Sequence, residues 1–282
     1  MGFPFQEADR VIRAALTEDI GPGDVTTLST VPEKTRATAF LVAKEDLRLA
    51  GLRGFTRVFE LLDPCGVTFT LHKKDGDEVL SGETILEAEG PARILLTGER
   101  VALNLLQRLC GIATMTSKWV KELEGTGAKL ADTRKTTPGF RALEKYAVRV
   151  GGGVNHRFGL FDGVLIKENH IRASGSITNA VKSARQSAHH LLKIEVEVTN
   201  LDELREALFA GADAVLLDNM DLPTMAEAVA IAKGKALVEA SGGMSLPRLR
   251  EVAETGVDII SAGALTHSAP ASDLSLLFKT GN

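Results

Sequence analysis

The sequence predicts an α/β protein in which a sheet-rich amino-terminal domain precedes an open or incomplete α/β barrel of the TIM type. In the second half of the chain, strand-like apolar runs alternate with amphipathic helical segments, which is typical of a parallel sheet. The spacing of the predicted strand ends is also regular. Glu197, Asp218, Ser241 and Gly263 follow one another after 21, 23 and 22 residues, similar to the length of one βα unit in a TIM barrel.

The length of 282 residues favours two domains over one. We expect the first domain over residues 1–105 and the barrel over 106–269, with the tail 270–282 joined to the first domain. Alternating side chains and an Asp-Gly turn predict strands and a helix in the first domain. The predicted strands are 37–42, 67–71 and 84–87, and the predicted helix is 52–62. A lipoyl or biotinyl domain has similar hairpins, but Lys73 and Lys74 lack the flanking pattern of those modules.

A long helix over residues 97–123 is predicted to link the two domains, and it ends at a glycine pair around residue 126. The strands predicted beyond it are 130–133, 163–167, 194–198, 214–217, 236–240 and 258–261. The helices predicted between them are 177–190, 201–210, 223–232 and 246–254. Only six strands are convincing, so the predicted barrel is open or incomplete. A doubly wound sheet is the alternative fold, but no G-x-G-x-x-G follows the first of these strands.

The charge distribution favours a small anionic ligand. The net charge of −4 argues against a general nucleic-acid binder. Residues 107–172 nevertheless carry 12 Lys and Arg against 6 Asp and Glu. A local basic field within an acidic protein attracts small anions, although most of these cations are expected on solvated helix faces.

The amino terminus has no basic segment followed by an apolar one, and no apolar run approaches the roughly 18 residues of a membrane span. The two cysteines, Cys65 and Cys110, form no C-x-x-C pair, and few cysteines are typical of reducing compartments. We therefore expect a cytoplasmic protein with no membrane partner.

Charged and glycine residues stand at the predicted strand ends, where the active site of a βα barrel lies. In chain order these residues are Arg134 and Lys135, Lys167, Glu197, Asp218, Ser241-Gly242-Gly243, and Gly263. The two glycine turns follow the last two strands, the usual place of a barrel phosphate site, and the first turn runs into a helix amino terminus. The pattern predicts phosphate binding. Two ordinary tight turns are the alternative.

The carboxylates and cations at these ends leave several roles open. Glu197 and Asp218 are suited to bind Mg²⁺ directly or through water beside phosphates, or to pair with the nearby cations. Arg134 and Arg157 are suited to bidentate binding of a carboxylate or phosphate. His156 is either a site residue or a structural one, and the same holds for His170.

Several segments together strongly resemble one enzyme family, the quinolinate phosphoribosyltransferases. The segments are GPGDVTT (21–27), NLLQRLCGIAT (104–114), DTRKTTPGFRALEKYAVRVGGGVNHRFGLFDGVLIKENHI (132–171), IEVEV (194–198), LLDNM (216–220), EASGGM (239–244) and SAGALTHSAPASDLSL (261–276). The resemblance spans nearly the whole chain, and the stretch 132–171 is the most specific part.

The resemblance implies an enzyme of NAD biosynthesis that converts quinolinate and phosphoribosyl pyrophosphate to nicotinate mononucleotide, pyrophosphate and CO₂ with Mg²⁺. It also implies an α/β sandwich as the first domain and a homodimer with shared active sites. The residues implied for quinolinate are Arg108 (from the neighbouring subunit), Arg134, His156, Arg157 and Lys167. Those implied for the ribose, pyrophosphate and metal are Lys135, Glu197 and Asp218, and those for the 5′-phosphate are Ser241, Gly242, Gly243 and Gly263.

Three alternatives to a quinolinate phosphoribosyltransferase are open. The nearest is a molybdenum-transport-associated paralogue of the same fold, but Lys167 and the His156-Arg157 pair favour a site for a dicarboxylate. A Schiff-base aldolase with Lys167 as its nucleophile is the second alternative. The third is a phosphate-binding scaffold without activity, against which the complete set of charged residues argues.

Overall fold

The computed structural model describes residues 2–279, which form two compact units. The first unit comprises residues 2–117, 136–152 and 268–279, and the second comprises 118–135 and 153–267. One helix runs without a break from Ala92 to Glu122, across the domain boundary expected at residue 105. That boundary stays a prediction, and residues 280–282 of the expected tail lie outside the described residues.

Helices and strands account for most of the described chain. The helices are α1 (Phe5–Ile20), α2 (Val25–Thr30), α3 (Leu52–Leu62), α4 (Ala92–Glu122), α5 (Arg141–Val150), α6 (Glu168–Ser174), α7 (Ile177–Ser187), α8 (Leu201–Phe209), α9 (Leu222–Ala232), α10 (Leu246–Glu254) and α11 (Ala264–His267). The strands are β1 (Arg36–Ala43), β2 (Leu47–Arg48), β3 (Thr68–Leu71), β4 (Glu78–Val79), β5 (Thr84–Pro91), β6 (Lys129–Ala131), β7 (Val164–Ile166), β8 (Ile194–Val198), β9 (Ala214–Asp218), β10 (Leu237–Ser241), β11 (Ile259–Ser261) and β12 (Leu274–Phe278).

The first unit is built on an antiparallel sheet with the strand order β12-β1-β5-β3. Strand β12, from the far end of the chain, pairs with β1 from Phe278 opposite Ala39 to Leu274 opposite Ala43. Every second residue of β1 is buried towards its end, because alternate side chains of a strand face the same side. Phe55 and Phe59 of α3 are fully buried in the core of this unit.

Helix α4 packs tightly against the segment that precedes β12 in the first unit. A Cβ atom at Gly111 would overlap the backbone carbonyl of Pro270, so only glycine allows this approach of the two backbones. Helix α4 begins at Ala92, directly after β5, and not at residue 97 as predicted. Helix α1 is absent from the predicted elements, although Ala8, Ile12 and Leu16 form a buried stripe at helical spacing.

The second unit is built on a six-stranded parallel sheet with the order β6-β11-β10-β9-β8-β7. The fold class predicted from the sequence is therefore confirmed. Among the described residues, the edge strands β6 and β7 do not pair with each other, which leaves the barrel open. Val154 forms an isolated parallel bridge to Ala131 on the outer edge of β6. Within the described part of the chain, no helix has both the length and the apolar character needed to cross a lipid bilayer.

Capping residues begin the helices that follow three of these strands. Ser176, Asn200 and Asp221 accept hydrogen bonds from backbone N–H groups in the first turns of α7, α8 and α9. Such caps satisfy donors that have no partner within the helix. The chain therefore turns from β8 into α8 and from β9 into α9 within a few residues.

Candidate active site

The parallel register places the polar side chains of neighbouring strands in rows at one end of the sheet. Glu197 of β8 and Glu239 of β10 are both paired with Leu216 of β9. Asp218 and Ser241, two residues further along β9 and β10, form the next pair on the same face of the sheet. Because residues two apart share a face of the sheet, all of these side chains point to the same side.

A cavity of about 320 Å³ lies at this end of the second unit. Six of the predicted site residues line it: Arg134, Lys135, His156, Arg157, Lys167 and Ser241. Five residues that were not predicted also line it: Thr133, Leu165, Leu216, Glu239 and Ser261. A cavity of this size with several converging charges is typical of a small-molecule site.

His156 is held by hydrogen bonds on its backbone and on both ring nitrogens. Its backbone N–H donates to the buried carboxylate of Asp132 at 2.9 Å. Nδ1 accepts from the backbone N–H of Arg157 at 2.8 Å, and Nε2 lies 3.2 Å from a carboxylate oxygen of Glu195. Since Nδ1 accepts, the ring proton belongs on Nε2 in the neutral tautomer. His156 therefore presents a fixed orientation to the cavity.

Glu239 is the one acid among the described residues that line the cavity, and it is buried. Its side chain is 4% exposed, and one of its oxygens lies 3.6 Å from Nε2 of His156. Burial, together with the nearby negative charge of Glu195, raises the pKa of Glu239 to about 7. His156, the hydroxyl of Ser261 and Lys167 lower it in part. The cavity lining therefore includes a carboxyl group whose pKa lies above its usual range.

Arg157 provides a half-buried cation with unused hydrogen-bonding capacity. Its Nη1 donates to the carbonyl of Gly163 at 2.9 Å, whereas its buried Nε has no hydrogen-bond partner among the described residues. Burial lowers the pKa of Arg157, and the neighbouring Arg134 lowers it further. Two guanidinium groups that repel each other in a cavity form a favourable site for an anion.

Lys167 forms an ion pair at the end of β7. Its Nζ donates to Oε2 of Glu197 at 2.6 Å, so the expected pairing of Glu197 with a local cation is present. The backbone N–H of Lys167 donates to Nδ1 of His170 at 3.0 Å. His170 thus has a structural role at the start of α6, and it does not line the cavity.

The glycine turn after β10 lies beside the end of β9. Gly242 and Gly243 both have positive φ values, 95° and 57°, a conformation that favours glycine. The second glycine site lies close to Lys135, because a Cβ atom at Gly263 would come within 2.8 Å of Cδ of Lys135. One predicted phosphate residue, Gly263, therefore lies beside the predicted cation Lys135.

Arg108 belongs to the first unit, unlike the other predicted site residues. Its guanidinium donates to the buried carboxylate of Glu144 at 2.8 Å and to the carbonyl of Ala269 at 2.9 Å. Glu144 also accepts from the backbone and the hydroxyl of Thr137. A separate cavity of about 380 Å³ in this unit is lined by Arg108. The role of Arg108 in binding quinolinate stays a prediction.

Three acids around His156 are absent from the predicted site residues. Asp132 directly follows β6 and supports both His156 and the amide of Asn155. Glu195 and Glu239 lie two residues before Glu197 and Ser241, and therefore face the same side of the sheet. The alternation of residues 194–198 already predicts that Glu195 shares a face with Glu197, and counting back by two from Ser241 would have found Glu239. The contact of Glu195 with His156 depends on tertiary structure, which strand periodicity does not reveal.

Comparison with known proteins identifies the family. The family model described as "Quinolinate phosphoribosyl transferase, C-terminal domain" matches residues 112–277, and the model of the N-terminal domain of the same family matches residues 24–110. The two matches together cover most of the chain. The chain belongs to the quinolinate phosphoribosyltransferase family.

Named relatives and solved structures agree with this assignment. A probable nicotinate-nucleotide pyrophosphorylase (carboxylating) of Bacillus subtilis is 51% identical over 259 residues, which cover 92% of this chain and 89% of the relative. The enzyme named nicotinate-nucleotide pyrophosphorylase (carboxylating) of Mycobacterium leprae is 44% identical over 279 residues, covering 96% of this chain and 97% of the relative. The structure of nicotinate-nucleotide pyrophosphorylase from Francisella tularensis superimposes with a TM-score of 0.94 at 44% identity, covering 99% of this chain and 98% of that one. None of these names supports the molybdenum-associated alternative.

The raised pKa of Glu239 predicts how stability depends on pH. Between its ordinary pKa of 4.5 and about 7, the folded protein keeps a proton that the unfolded chain has released. The free energy of unfolding should therefore fall as pH rises through this range, by up to roughly 3 kcal/mol. Glu239→Gln should remove that loss and make the protein more stable than the wild type above pH 7.

Chemical denaturation between pH 5 and pH 8.5 measures this effect. Glu251→Gln, at an exposed position on α10, serves as the control and should leave the slope of stability against pH unchanged. Wild-type and Glu239→Gln curves that run parallel across the whole range would contradict a buried carboxyl group with a raised pKa.

Proposed function

We propose that this chain transfers a phosphoribosyl group from phosphoribosyl pyrophosphate to quinolinate, yielding nicotinate mononucleotide, pyrophosphate and CO₂ in de novo NAD biosynthesis. The observation that carries the proposal is the cavity at the strand ends, where Arg134, Arg157 and Lys167 converge beside a glycine turn. Such cations suit the two carboxylates of quinolinate, and glycine turns at this end of a βα barrel suit a phosphate.

Quinolinate is assigned to the part of the cavity around His156. Arg134, Arg157 and Lys167 supply positive charge there, and the partnerless Nε of Arg157 supplies a buried donor for a carboxylate oxygen. The Nε2–H of His156 is oriented by Asp132 and Arg157 through the backbone and Nδ1. Arg108 completes the proposed quinolinate set from a neighbouring subunit.

Phosphoribosyl pyrophosphate is assigned to the strand ends of β9 to β11. Ser241, Gly242, Gly243 and Gly263 would receive the 5′-phosphate, and Lys135 would bind the pyrophosphate as a point charge. Glu197 and Asp218 would hold Mg²⁺, directly or through water. Two carboxylates from neighbouring strands fit Mg²⁺, because it prefers oxygen ligands and usually takes one or two carboxylates together with substrate phosphates.

The chemistry needs orientation and electrostatic stabilisation but no covalent nucleophile. The pyridine nitrogen attacks the anomeric carbon, the bond to pyrophosphate breaks, and positive charge develops on the ribose. Glu197 and Asp218 would stabilise that charge. When bound, Mg²⁺ would neutralise charge on the pyrophosphate leaving group. After the transfer, CO₂ departs and leaves an electron pair on the ring carbon, which the cationic ring nitrogen stabilises. A proton then binds to that carbon in place of CO₂.

The protein's partners are proposed on the same basis. We propose a homodimer in which each active site takes Arg108 from the neighbouring chain, an arrangement that the resemblance to the quinolinate phosphoribosyltransferase family supports. The absence of nucleic-acid and membrane partners and the cytoplasmic location stay predictions from composition.

Turnover with quinolinate, phosphoribosyl pyrophosphate and Mg²⁺ tests the proposed reaction. CO₂ and nicotinate mononucleotide should appear in equal amounts, and both should depend on both substrates. Folded protein that forms neither product would overturn the substrate assignment, and trapping of a carbonyl substrate by borohydride would favour the aldolase alternative.

Arg157→Ala should weaken quinolinate binding by at least tenfold, since a buried carboxylate loses a charged hydrogen-bond partner that contributes roughly 1.5–3 kcal/mol. Calorimetry with quinolinate measures this change. Arg185→Ala is the matched control, because Arg185 pairs with Asp213 in the same unit at a partly exposed position outside the cavity. Equal quinolinate affinity of Arg157→Ala and the control would remove Arg157 from the site.

Sharing of the site between subunits predicts complementation. Arg108→Ala and Lys167→Ala should each be inactive alone. After mixing and exchange of subunits, half of the dimers are mixed and each carries one intact site, so up to about a quarter of the wild-type activity should return. Activity that fails to return, although mass spectrometry demonstrates exchanged dimers, would exclude this arrangement.

A further inference from the structure

Asn219 adopts an unusual backbone conformation at the carboxyl end of β9. Its φ of 54° makes it the one residue other than glycine with a left-handed φ in the described part of the chain. Asparagine tolerates this conformation better than most residues, but it still persists only where the surroundings determine it. Asn219 directly follows Asp218, which is the proposed ribose and metal carboxylate.

The backbone of Asn219 is tied to the neighbouring strand. Its N–H donates to the carbonyl of Ser241 at 3.1 Å. This bond follows the last register pair of β9 and β10, Asp218 opposite Ser241. The left-handed turn at Asn219 therefore begins at a fixed position beside the glycine turn of the proposed phosphate site.

The side-chain amide of Asn219 contacts the proposed carboxylate and the glycine turn at once. Its Nδ2 donates to Oδ2 of Asp218 at 3.1 Å. A Cβ atom at Gly242 would overlap Oδ1 of Asn219 and would lie 2.8 Å from Nδ2. Oδ1 also lies 4.0 Å from the Cβ position of Gly243. The missing side chain of Gly242 thus provides the space that the amide fills.

We propose that Asn219 is a positioning residue that fixes the Asp218 carboxylate relative to the Ser241-Gly242-Gly243 turn. The inference rests on the proposed function, which assigns Asp218 to the ribose and metal and the turn to the 5′-phosphate. Phosphoribosyl pyrophosphate would then meet its two binding groups at a fixed separation, and less conformational freedom would be lost on binding. The amide, rather than the backbone conformation alone, performs this role.

Two variants of Asn219 separate the amide from the backbone, and a third variant serves as the control. Asn219→Gly removes the amide but accepts a positive φ, whereas Asn219→Ala removes the amide and strains the backbone. Asn200→Ala is the matched control, because Asn200 is also an exposed asparagine just beyond a strand, β8, and its side chain caps α8. That variant should lower the melting temperature and leave both substrate affinities unchanged.

Calorimetry with phosphoribosyl pyrophosphate at saturating Mg²⁺, and separately with quinolinate, gives the decisive comparison. Both Asn219 variants should bind phosphoribosyl pyrophosphate about tenfold more weakly, as expected for a lost hydrogen bond to a charged group. Both should bind quinolinate like the wild type. Asn219→Gly should melt at a higher temperature than Asn219→Ala. Wild-type affinity of Asn219→Gly for phosphoribosyl pyrophosphate would overturn the proposal, since the backbone alone would then suffice.

A double-variant cycle tests whether Asn219 acts through Asp218. Adding Asn219→Gly to Asp218→Asn should weaken binding of phosphoribosyl pyrophosphate little beyond Asp218→Asn alone. Losses that multiply would show that Asn219 acts independently of the carboxylate, and would overturn the proposal. Failure of the proposed function is distinguishable, because the wild type itself would then not bind phosphoribosyl pyrophosphate.

Discussion

The parallel register of β8, β9 and β10 is the constraint on which the site depends. It places Glu197 and Glu239 level with Leu216, and it places Asp218 level with Ser241 one row further on. A slip of one residue would turn every side chain of a strand to the opposite face. Val196, Val215 and Val238 are buried on the other face of these strands. The hydrophobic packing of that face therefore also fixes where the charges lie.

The charges in the cavity are arranged for ligand binding at some cost in stability. Glu239 is nearly fully buried, and Arg157 keeps a buried donor without a partner among the described residues. Burying such groups is unfavourable unless they are paired. A dicarboxylate would supply the missing partner for Arg157, whereas the proton of Glu239 limits the negative charge beside it. Because Asp132 already orients His156, less conformational entropy is lost when a ligand binds.

Strand periodicity made much of the fold and part of the site predictable. All six strands of the parallel sheet were predicted to within two residues at each end, because alternating apolar runs and capped helices mark them. Helices α1, α2, α5, α6 and α11 were not predicted. Capping does not explain the difference, because Asp24 caps α2 whereas the predicted helices α3 and α10 begin without a side-chain cap bond. Strand periodicity places Glu239 on the face of Ser241, but its contact with His156 depends on tertiary structure and could not be predicted. The hydrogen bond from Asn219 to Asp218 likewise depends on a left-handed turn that the sequence does not specify.

The cavity is assigned to a ligand with two carboxylates on one ring. A comparison of two ligands tests this assignment most directly. Quinolinate and nicotinate share the pyridine ring and one carboxylate, and only quinolinate carries the second. Calorimetry on the wild-type protein should show quinolinate binding at least tenfold more tightly, with an advantage that shrinks as salt screens the cations. Equal affinities that do not depend on salt would contradict the assignment of the cationic cavity to a dicarboxylate.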